Sequence, residues 1–395
     1  MSNITGLFFR PFQFIGLMLS YITPRNNNRW CFGSSFSGNA KYLFVYMSTH
    51  TNKECVWIGD EKEVSQLRSL GLRAQKRLSW RGLYSLLTAG VYVFNSYVAN
   101  VSLYTMGRAK RVNLWHGVGL KNIEYKIKVG PIAKRYHAKG LFNQLRYMNF
   151  RIKPDVFLST SPMMTKHFSS CFEIDESKVI EGIYPRCEIL TQGYGFAKRF
   201  INDYENDECK SILEKIKNFT YTYIYMPTFR DNGGDFLEGL GFDLEALNEA
   251  LKQNERLLIL KLHPDTKMKI DGYYSNIIQI GNSFDLYPVL PFTNCLITDY
   301  SSIYFDYILM RGKHVILFTP DYNDYICNSR DLAYSYDEYM KGIKANDFRG
   351  FLEIIKKPIN EMSMPDIEKI RKAFWEPQYC NMTQLVEGIN KKLWS

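Results

Sequence analysis

Polar residues suited to binding an anion follow an apolar, strand-like segment in the last third of the sequence. Asp299, Ser301 and Ser302 come directly after Cys295–Thr298, and a helix-length stretch follows them. Backbone N–H groups and serine hydroxyls at the start of a helix can bind a phosphate, and Asp299 or Ser301 can cap that helix. A second apolar segment, 315–318, follows after about three helical turns, which predicts a parallel β-α-β unit with a crevice at the carboxyl ends of its strands.

Two earlier segments repeat this arrangement, with 36 residues between successive predicted strand ends. Parallel strands place their carboxyl ends at one edge of a sheet, so the polar residues after all three strands should share one crevice. Their hydroxyl, guanidinium, imidazole and carboxylate groups predict a phosphate site, without a carboxylate pair that would hold a metal. The residues that the two earlier segments contribute are Thr228, Arg230, Asp231 and His263.

Length and composition favour a two-domain α/β protein. The chain has 395 residues, too many for one compact core, and short Val, Ile, Tyr and Phe segments alternate with helix-length segments. Its eight cysteines include no Cys-x-x-Cys pair, a pattern that fits a reducing cytoplasm better than a zinc site or a disulfide framework. We expect Rossmann-like domains over residues 29–210 and 211–395.

The N-terminal segment and the charge pattern indicate a membrane surface as a partner. Residues 1–28 are largely apolar, but polar residues and a proline interrupt them, so they should lie at a membrane interface or on the protein and not span a bilayer. Residues 64–153 carry seventeen Lys and Arg and one acid, a net charge of +16 against −6 for the rest. Within them, a predicted helix over 141–152 has one apolar face and several cations, which suits anionic lipid, and a solvated basic helix is the alternative. No nucleic-acid-binding motif is visible, so we expect no nucleic acid partner.

A histidine follows one predicted strand of the first domain. The strand ends at Trp115, and His116 begins a glycine-containing loop that reaches Lys121. This loop lacks the P-loop spacing and the Gly-x-Gly-x-x-Gly pattern, so hydride transfer with a dinucleotide is disfavoured. Because His116 directly follows the end of a parallel strand, its imidazole should lie at the mouth of the first domain. The strands predicted in this half are 29–32, 55–58, 91–95, 112–115, 156–159 and 179–181.

Five short blocks of the sequence carry a family resemblance. They are Trp115-His116-Gly117, Tyr184-Pro185-Arg186, the segment 226–231, Leu262-His263-Pro264 and the segment 299–307. From about Trp30 onward, the chain resembles the CDP-glycerol glycerophosphotransferases, the family of teichoic-acid and capsule polymerases. The resemblance implies an α/β protein of the GT-B fold, with two Rossmann-like domains and an interdomain active-site cleft. It also implies transfer of an alditol phosphate from a CDP-activated donor, with release of CMP. We expect no metal and no cofactor apart from this donor.

The resemblance also suggests roles for individual residues. His116 is the expected general base and His263 the expected donor of a hydrogen bond to the pyrophosphate, although these two roles could be exchanged. The expected substrate-binding residues are Gly117, Lys121, Arg186, Thr228, Arg230, Asp231, Asp299, Ser301 and Ser302. The chain departs from the family pattern at Val118-Gly119 and Cys187-Glu188, which leaves the acceptor, and glycerol versus ribitol phosphate, open.

Three functions are compatible with these patterns. The first is a glycerophosphotransferase, or its CDP-ribitol counterpart, that acts on a glycan or lipid-linked polymer from the cytoplasmic face of a membrane. The second is a GT-B glycosyltransferase that uses a nucleotide-sugar. The third is a basic, non-catalytic protein that binds membranes or polyanions, but this function gives no role to two histidines on loops after strands.

Overall fold

The computed structural model of the chain describes residues 14–33, 35–128, 130–228, 241–262, 273–281, 285–322 and 332–395. The chain divides into two compact units. Unit 1 contains Met1–His116, Ile123–Glu188 and Trp375–Ser395, and unit 2 contains Gly117–Asn122 and Ile189–Phe374. The chain therefore changes unit at four points, whereas the sequence patterns suggest a single boundary after residue 210.

Unit 1 is built on a seven-stranded parallel sheet of order β3-β2-β1-β4-β5-β6-β7. Its strands are β1 (Asn26–Gly33), β2 (Glu54–Gly59), β3 (Ala74–Lys76), β4 (Ala89–Phe94), β5 (Lys110–Asn113), β6 (Val156–Ser159) and β7 (Val179–Glu181). Its helices are α1 (residues 14–22), α2 (Gly38–His50), α3 (Glu61–Ser69), α4 (Trp80–Thr88), α5 (Gly130–His137), α6 (Leu141–Arg146), α7 (Met148–Arg151) and α8 (Pro162–Phe172). The next helix, α9 (Pro185–Thr191), begins in unit 1 and ends in unit 2.

Unit 2 is built on a six-stranded parallel sheet of order β10-β9-β8-β11-β12-β13. Its strands are β8 (Tyr221–Tyr225), β9 (Arg256–Leu260), β10 (Ile277–Gln279), β11 (Cys295–Thr298), β12 (His314–Phe318) and β13 (Ile343–Ala345). Its helices are α10 (Tyr194–Tyr204), α11 (Asp207–Ile216), α12 (Leu244–Lys252), α13 (Ile303–Tyr307), α14 (Tyr336–Tyr339), α15 (Phe348–Lys356) and α16 (Glu368–Phe374). The last helix, α17 (Met382–Trp394), belongs to unit 1.

Most of the central strands are buried along their whole length. Every residue of β4, β6, β8, β9 and β11 is buried. Parallel sheets covered by helices on both faces have such strands, and these read as continuous apolar runs instead of alternating ones. This property explains why all six strands predicted in the first half are present. The edge strand β3 is not predicted, because two of its three residues, Gln75 and Lys76, are polar and give no apolar run.

Two predicted helices differ from those observed. The basic helix expected over 141–152 is two short helices, α6 and α7, that meet at Tyr147, where the backbone leaves the helical conformation (φ −106°, ψ 14°). The helix expected after Ser302 to span three turns is the five-residue α13. The amphipathic pattern of 141–152 is nevertheless visible, since Leu141 and Leu145 are exposed beside basic residues.

One arginine fixes α1 to the body of unit 1. The Nη1 of Arg25 donates to the carbonyls of Leu86 (3.0 Å) and Ala89 (3.1 Å), and its Nη2 donates to those of Ser20 (2.8 Å) and Thr105 (2.9 Å). A guanidinium can serve four carbonyls because its five N–H groups diverge in one plane. The helix itself presents mainly exposed apolar side chains. Among the described residues, no helix combines the length and the hydropathy that a membrane-spanning helix requires.

We expect Arg25→Lys to loosen α1 without unfolding unit 2. A lysine ammonium cannot reach four carbonyls, so buried acceptors lose their donors, at a cost of about 2 kcal/mol. Amide hydrogen exchange over residues 14–22 should then accelerate by about thirtyfold, as local opening becomes easier. Arg311→Lys is the matched control, because Arg311 is an exposed arginine of unit 2 that pairs with Glu368. Unchanged protection over residues 14–22 would show that packing alone holds α1.

Candidate active site

The carboxyl ends of β8 and β11 are joined by a buried carboxylate. The backbone N–H of Thr228, which follows β8, donates to both carboxylate oxygens of Asp299, at 2.9 and 3.1 Å. Asp299 is fully buried and directly follows β11. The two strands are neighbours in the sheet, so these residues share one edge, as the sequence predicts. The carboxylate therefore orients the Thr228 segment and does not cap α13, for which Ser302 is the N-cap residue, without a side-chain hydrogen bond.

The turn after Asp299 presents polar groups that the protein does not use. Among the described residues, the hydroxyls of Ser301 and Ser302 have no hydrogen-bond partner, nor do the backbone N–H groups of residues 301–303. Ser302 is exposed and Ser301 half-buried. Three N–H groups and two hydroxyls in one turn can bind phosphate oxygens. Because α13 has only five residues, these local donors matter more than the helix dipole.

The segment that follows His116 in the chain belongs to unit 2. A Cβ at Gly119 would lie 3.5 Å from that of Ser302, which places this segment beside the turn. The backbone N–H of Ala333 donates to the Leu120 carbonyl (2.6 Å), and Lys121 forms an antiparallel bridge with Leu332. Of the expected binding residues, Gly117 and Lys121 are thus grouped with the phosphate turn and not with unit 1.

A polar cavity of about 470 Å³ lies next to the turn, at the ends of β12 and β13. Tyr336 connects it to the turn, because the Tyr336 hydroxyl donates to the Asp299 carbonyl (3.2 Å). The Tyr322 hydroxyl donates to Asp337 (3.0 Å), and Lys344 lies 3.1 Å from the same carboxylate. The lining residues are Thr319, Pro320, Asp321, Tyr322, Tyr336, Asp337, Lys344 and Asn346.

In unit 1, the backbone changes direction immediately before His116. Strand β5 ends at Asn113, two residues earlier than predicted, and Trp115 adopts a left-handed conformation (φ 52°). Its indole is buried and packs edge-on against Phe172, with ring centroids 4.7 Å apart. A left-handed conformation is rare for an aromatic residue and costs free energy unless its surroundings impose it. The bend therefore ends the strand and turns the next residue, His116, out of the sheet.

The imidazole of His116 is held through one of its two nitrogens. Its Nδ1 lies 3.4 Å from the carbonyl oxygen of Asn95 and 3.2 Å from the hydroxyl of Ser96. A carbonyl oxygen only accepts hydrogen bonds, so this contact assigns the proton of the neutral ring to Nδ1. Within the described part of the chain, Nε2 has no partner, and His116 is an exposed residue. Nε2 is therefore the nitrogen that can take up a proton.

The surroundings of His116 keep it neutral. Desolvation by the protein around the ring, followed by the positive charge of Arg186, lowers its pKa to about 4. Neighbouring protein atoms that displace water and a nearby cation both disfavour the charged imidazolium, although the residue keeps an exposed surface. Arg186 is buried in the first turn of α9, where its backbone N–H donates to the side chain of Asn39 (3.2 Å).

Three of the expected site residues cannot be compared with the structure. Arg230, Asp231 and His263 lie outside the described residues. Their roles stay predictions from the sequence.

Sequence reasoning missed three buried asparagines around His116. Asn39, Asn95 and Asn113 are 0%, 6% and 3% exposed, and each uses its side chain to bind backbone groups of other segments. Asn95 lies at the carboxyl end of the predicted strand 91–95, which is a signal that could have identified it, whereas Asn113 lies inside the predicted strand 112–115 and ends only the observed one. Asn39 gives no such signal, because its partners lie 75 or more residues away.

Comparisons with known proteins identify the family and the fold. A family model described as CDP-glycerol:poly(glycerophosphate) glycerophosphotransferase matches residues 16–383. The teichoic acid poly(glycerol phosphate) polymerase of Bacillus spizizenii is 26% identical over 377 residues, which are 91% of this chain and 89% of that protein. The teichoic acid ribitol-phosphate primase of the same organism is 26% identical over 67% of this chain and 65% of its own.

The structure of a wall teichoic acid polymerase, TagF, is similar over 99% of this chain and 97% of that one, with a TM-score of 0.72 and 19% identity. This likeness confirms the predicted GT-B fold, in which each of the two units carries a parallel Rossmann-like sheet. The family model covers nearly the whole chain, including the described segments that carry His116, Arg186 and the Asp299–Ser302 turn. The protein is therefore an enzyme that belongs to the CDP-glycerol:poly(glycerophosphate) glycerophosphotransferase family.

Proposed function

We propose that this enzyme transfers glycerol phosphate from CDP-glycerol to a hydroxyl of a teichoic-acid-like or capsule polymer. The observation that carries the proposal is the turn after Asp299, whose N–H groups and serine hydroxyls have no partner in the described protein. A pyrophosphate supplies the acceptor oxygens that these donors lack. Family membership supplies the donor class.

The reaction is a displacement at the phosphorus that bears the glycerol. The acceptor hydroxyl oxygen attacks this phosphorus, the bond to the bridging pyrophosphate oxygen breaks, and CMP leaves with the bonding electrons. Phosphoryl transfer of this kind depends on positioning and charge stabilisation more than on covalent catalysis. Ser301, Ser302 and the Thr228 segment bind the donor phosphates in this proposal, with Arg230 and His263 as further donors of positive charge and hydrogen bonds.

His116 is the proposed general base. Because its Nδ1 is held by Asn95 and Ser96, the proton of the acceptor hydroxyl goes to Nε2. A pKa of about 4 keeps the ring neutral, and so able to accept a proton, over the whole physiological range. Arg186 lies close enough to depress this pKa, and we assign it to binding an acceptor or donor phosphate. A bound anion would offset part of the effect of Arg186 and make Nε2 more basic when substrate is present.

The cavity beside the turn supports a hydroxyl-rich group on the donor. Its carboxylates, tyrosines, lysine and amide can exchange hydrogen bonds with several hydroxyls at once. Both glycerol and ribitol carry such hydroxyls, so CDP-ribitol is the alternative donor. A nucleotide-sugar, which would make the enzyme a glycosyltransferase, is the other alternative.

The released nucleotide distinguishes these donors. Purified enzyme incubated with a polymer primer and CDP-glycerol, CDP-ribitol or a panel of nucleotide-sugars should release CMP from CDP-glycerol. In the same assay, Ser302→Ala should raise the KM for the donor several-fold more than it lowers kcat, since it removes a ground-state contact. Ser69→Ala, an exposed serine of unit 1, is the control. A nucleoside diphosphate released from a sugar donor, and no CMP, would overturn the proposal.

We expect His116→Ala and His263→Ala each to lower kcat by at least about 100-fold, as loss of a general base or a charge-stabilising donor does. In the wild type, kcat/KM reports the free enzyme, so its acid limb should lie below the ordinary imidazole value of ~6.5, toward the His116 pKa of about 4. The acid limb of kcat should lie at higher pH, because the bound anionic donor raises the imidazole pKa.

His50→Ala serves as the control, because His50 is an exposed residue of unit 1 that stacks on Tyr46. Near-wild-type turnover of either active-site variant would remove that residue from the mechanism. An acid limb of kcat/KM near pH ~6.5, the value of an unperturbed imidazole, would contradict the proposed surroundings of His116.

We also propose that the enzyme binds the cytoplasmic surface of the membrane, where a lipid-linked acceptor would be held. Exposed apolar side chains support this location: Met18 (63% exposed) and Ile22 (75%) on α1, and Trp80 (88%) at the start of α4. Aromatic and aliphatic side chains partition into the membrane interface, and neighbouring cations add attraction to anionic lipid.

The double variant Ile22→Ser/Trp80→Ser should bind anionic vesicles at least about tenfold more weakly than the wild type, because it removes two large apolar contacts. Co-sedimentation at low and high salt measures the effect, and the binding that survives high salt should be lost first. Tyr273→Ser is the matched control, since Tyr273 is a 90% exposed aromatic residue of unit 2. Equal binding of the wild type to neutral and anionic vesicles, or none to either, would exclude the basic surface as an anchor.

A further inference from the structure

Three buried asparagines surround the backbone that carries His116. Asn39 lies in the first turn of α2, Asn95 directly follows β4, and Asn113 ends β5. All three are less than a tenth exposed. Strands β1, β4 and β5 are successive neighbours in the sheet, so the segments that follow them meet at one edge. We call these three residues the asparagine clamp.

The clamp holds both polar backbone atoms of the strained residue, Trp115. The Trp115 N–H donates to Oδ1 of Asn113 (2.9 Å), and the Trp115 carbonyl accepts from Nδ2 of Asn39 (2.9 Å). With its indole buried against Phe172, Trp115 is fixed through its N–H, its carbonyl and its ring. The left-handed conformation that directs His116 is thus imposed by its partners and is not left to the local chain.

The clamp also holds the groups that contact the imidazole. The Nδ2 of Asn113 donates to the carbonyl of Ser96 (2.9 Å), and the side chain of Asn95 accepts from Ala40 N–H (2.7 Å) and donates to the carbonyl of Ser37 (3.1 Å). The segment that offers the Asn95 carbonyl and the Ser96 hydroxyl to His116 is therefore bound on both sides. Asn39 extends the network, because its Oδ1 accepts from the Arg186 N–H (3.2 Å).

An uncharged amide is the side chain that suits this task. Each clamp residue connects a backbone donor with a backbone acceptor from another segment, and an asparagine amide has both functions at one short side chain. A carboxylate could not donate, and its negative charge would favour the imidazolium form of His116. Leucine has a similar volume but would leave the bound carbonyls and N–H groups unpaired.

We propose that Asn39, Asn95 and Asn113 are positioning residues that fix the His116 ring with Nδ1 bound to the protein and Nε2 available to the acceptor hydroxyl. The inference rests on the proposed role of His116 as the base. It adds that the tautomer and direction of the base are set by side chains that do not touch the substrate. General-base catalysis depends on such placement, since a displacement of about 1 Å can cost 100-fold in rate.

Nitrogen-15 NMR of the full chain, with labelled histidine side chains, tests the tautomer directly. The chain has six histidines, and His116→Gln identifies the signal of interest by its loss. At neutral pH the wild type should show a neutral ring protonated at Nδ1. A ring protonated at Nε2 would overturn the proposal, and this measurement needs neither activity nor a folded clamp variant.

Kinetics of Asn39→Leu and Asn113→Leu test the consequence. Each should lower kcat with CDP-glycerol by about 100-fold while the donor KM changes less than about threefold, and each should give a mixture of His116 tautomers. The control is Asn276→Leu, because Asn276 is a buried asparagine of unit 2 that donates to the Arg256 carbonyl (2.8 Å). Asn276→Leu should lose stability comparably but keep wild-type kcat and the wild-type tautomer.

The outcomes separate this inference from the proposed function. If the wild type releases no CMP from any CDP-alditol, the proposed function fails, whereas the tautomer measurement still decides the geometry. If the wild type is active and folded clamp variants keep its kcat, the clamp does not position the base. An equal loss of kcat in Asn276→Leu would also reject the proposal, because the effect would then reflect stability alone.

Discussion

Parallel strands leave peptide groups unpaired where they end, and this constraint shapes both units. At the carboxyl edge of a parallel sheet the ladder stops, yet the segments that continue from it are still partly buried and need partners. In unit 2, the Asp299 carboxylate binds the Thr228 N–H and the Thr298 hydroxyl donates to the Met226 carbonyl (2.8 Å). In unit 1, asparagine amides do the same. Within each unit, the residues that satisfy these ends lie beside that unit's candidate site residues.

The two units use different groups to bind these peptide groups: a charged carboxylate in unit 2 and neutral amides in unit 1. This difference fits the roles proposed for the two units. A buried carboxylate in unit 2 uses its oxygens on backbone N–H groups, which leaves the following turn to present donors to an anion. In unit 1 the clamp is uncharged, so the pKa of His116 is lowered by desolvation and then by the positive charge of Arg186. A neutral clamp thus positions a base without raising the share of its protonated, inactive form.

Charge counted along the sequence overstates the positive field of unit 1. Several cations of residues 64–153 pair with acids that lie outside that range: Arg73 with Glu54 (2.8 Å), Arg111 with Asp155 (2.9 Å) and Lys153 with Glu173 (3.6 Å). Sheet topology brings these partners together, for example because β2 pairs with β3 and β5 with β6. The exposed apolar side chains of α1 and α4 therefore support the proposed membrane location more strongly than the net charge does.

The sequence by itself determined the class of fold and the kind of residue at each strand end. Buried parallel strands must be continuous apolar runs, and a polar residue at the end of such a run has only one edge of the sheet to occupy, so the meeting of Thr228 with Asp299 was predictable. Which peptide groups a side chain binds was decided by the tertiary structure alone. Asn39 binds the Trp115 carbonyl, 76 residues away, and the Arg186 N–H, 147 residues away. Such contacts depend on which strands become neighbours in the sheet. Hydrogen bonds between segments so far apart produce no periodicity or regular spacing that could be recognised in the sequence.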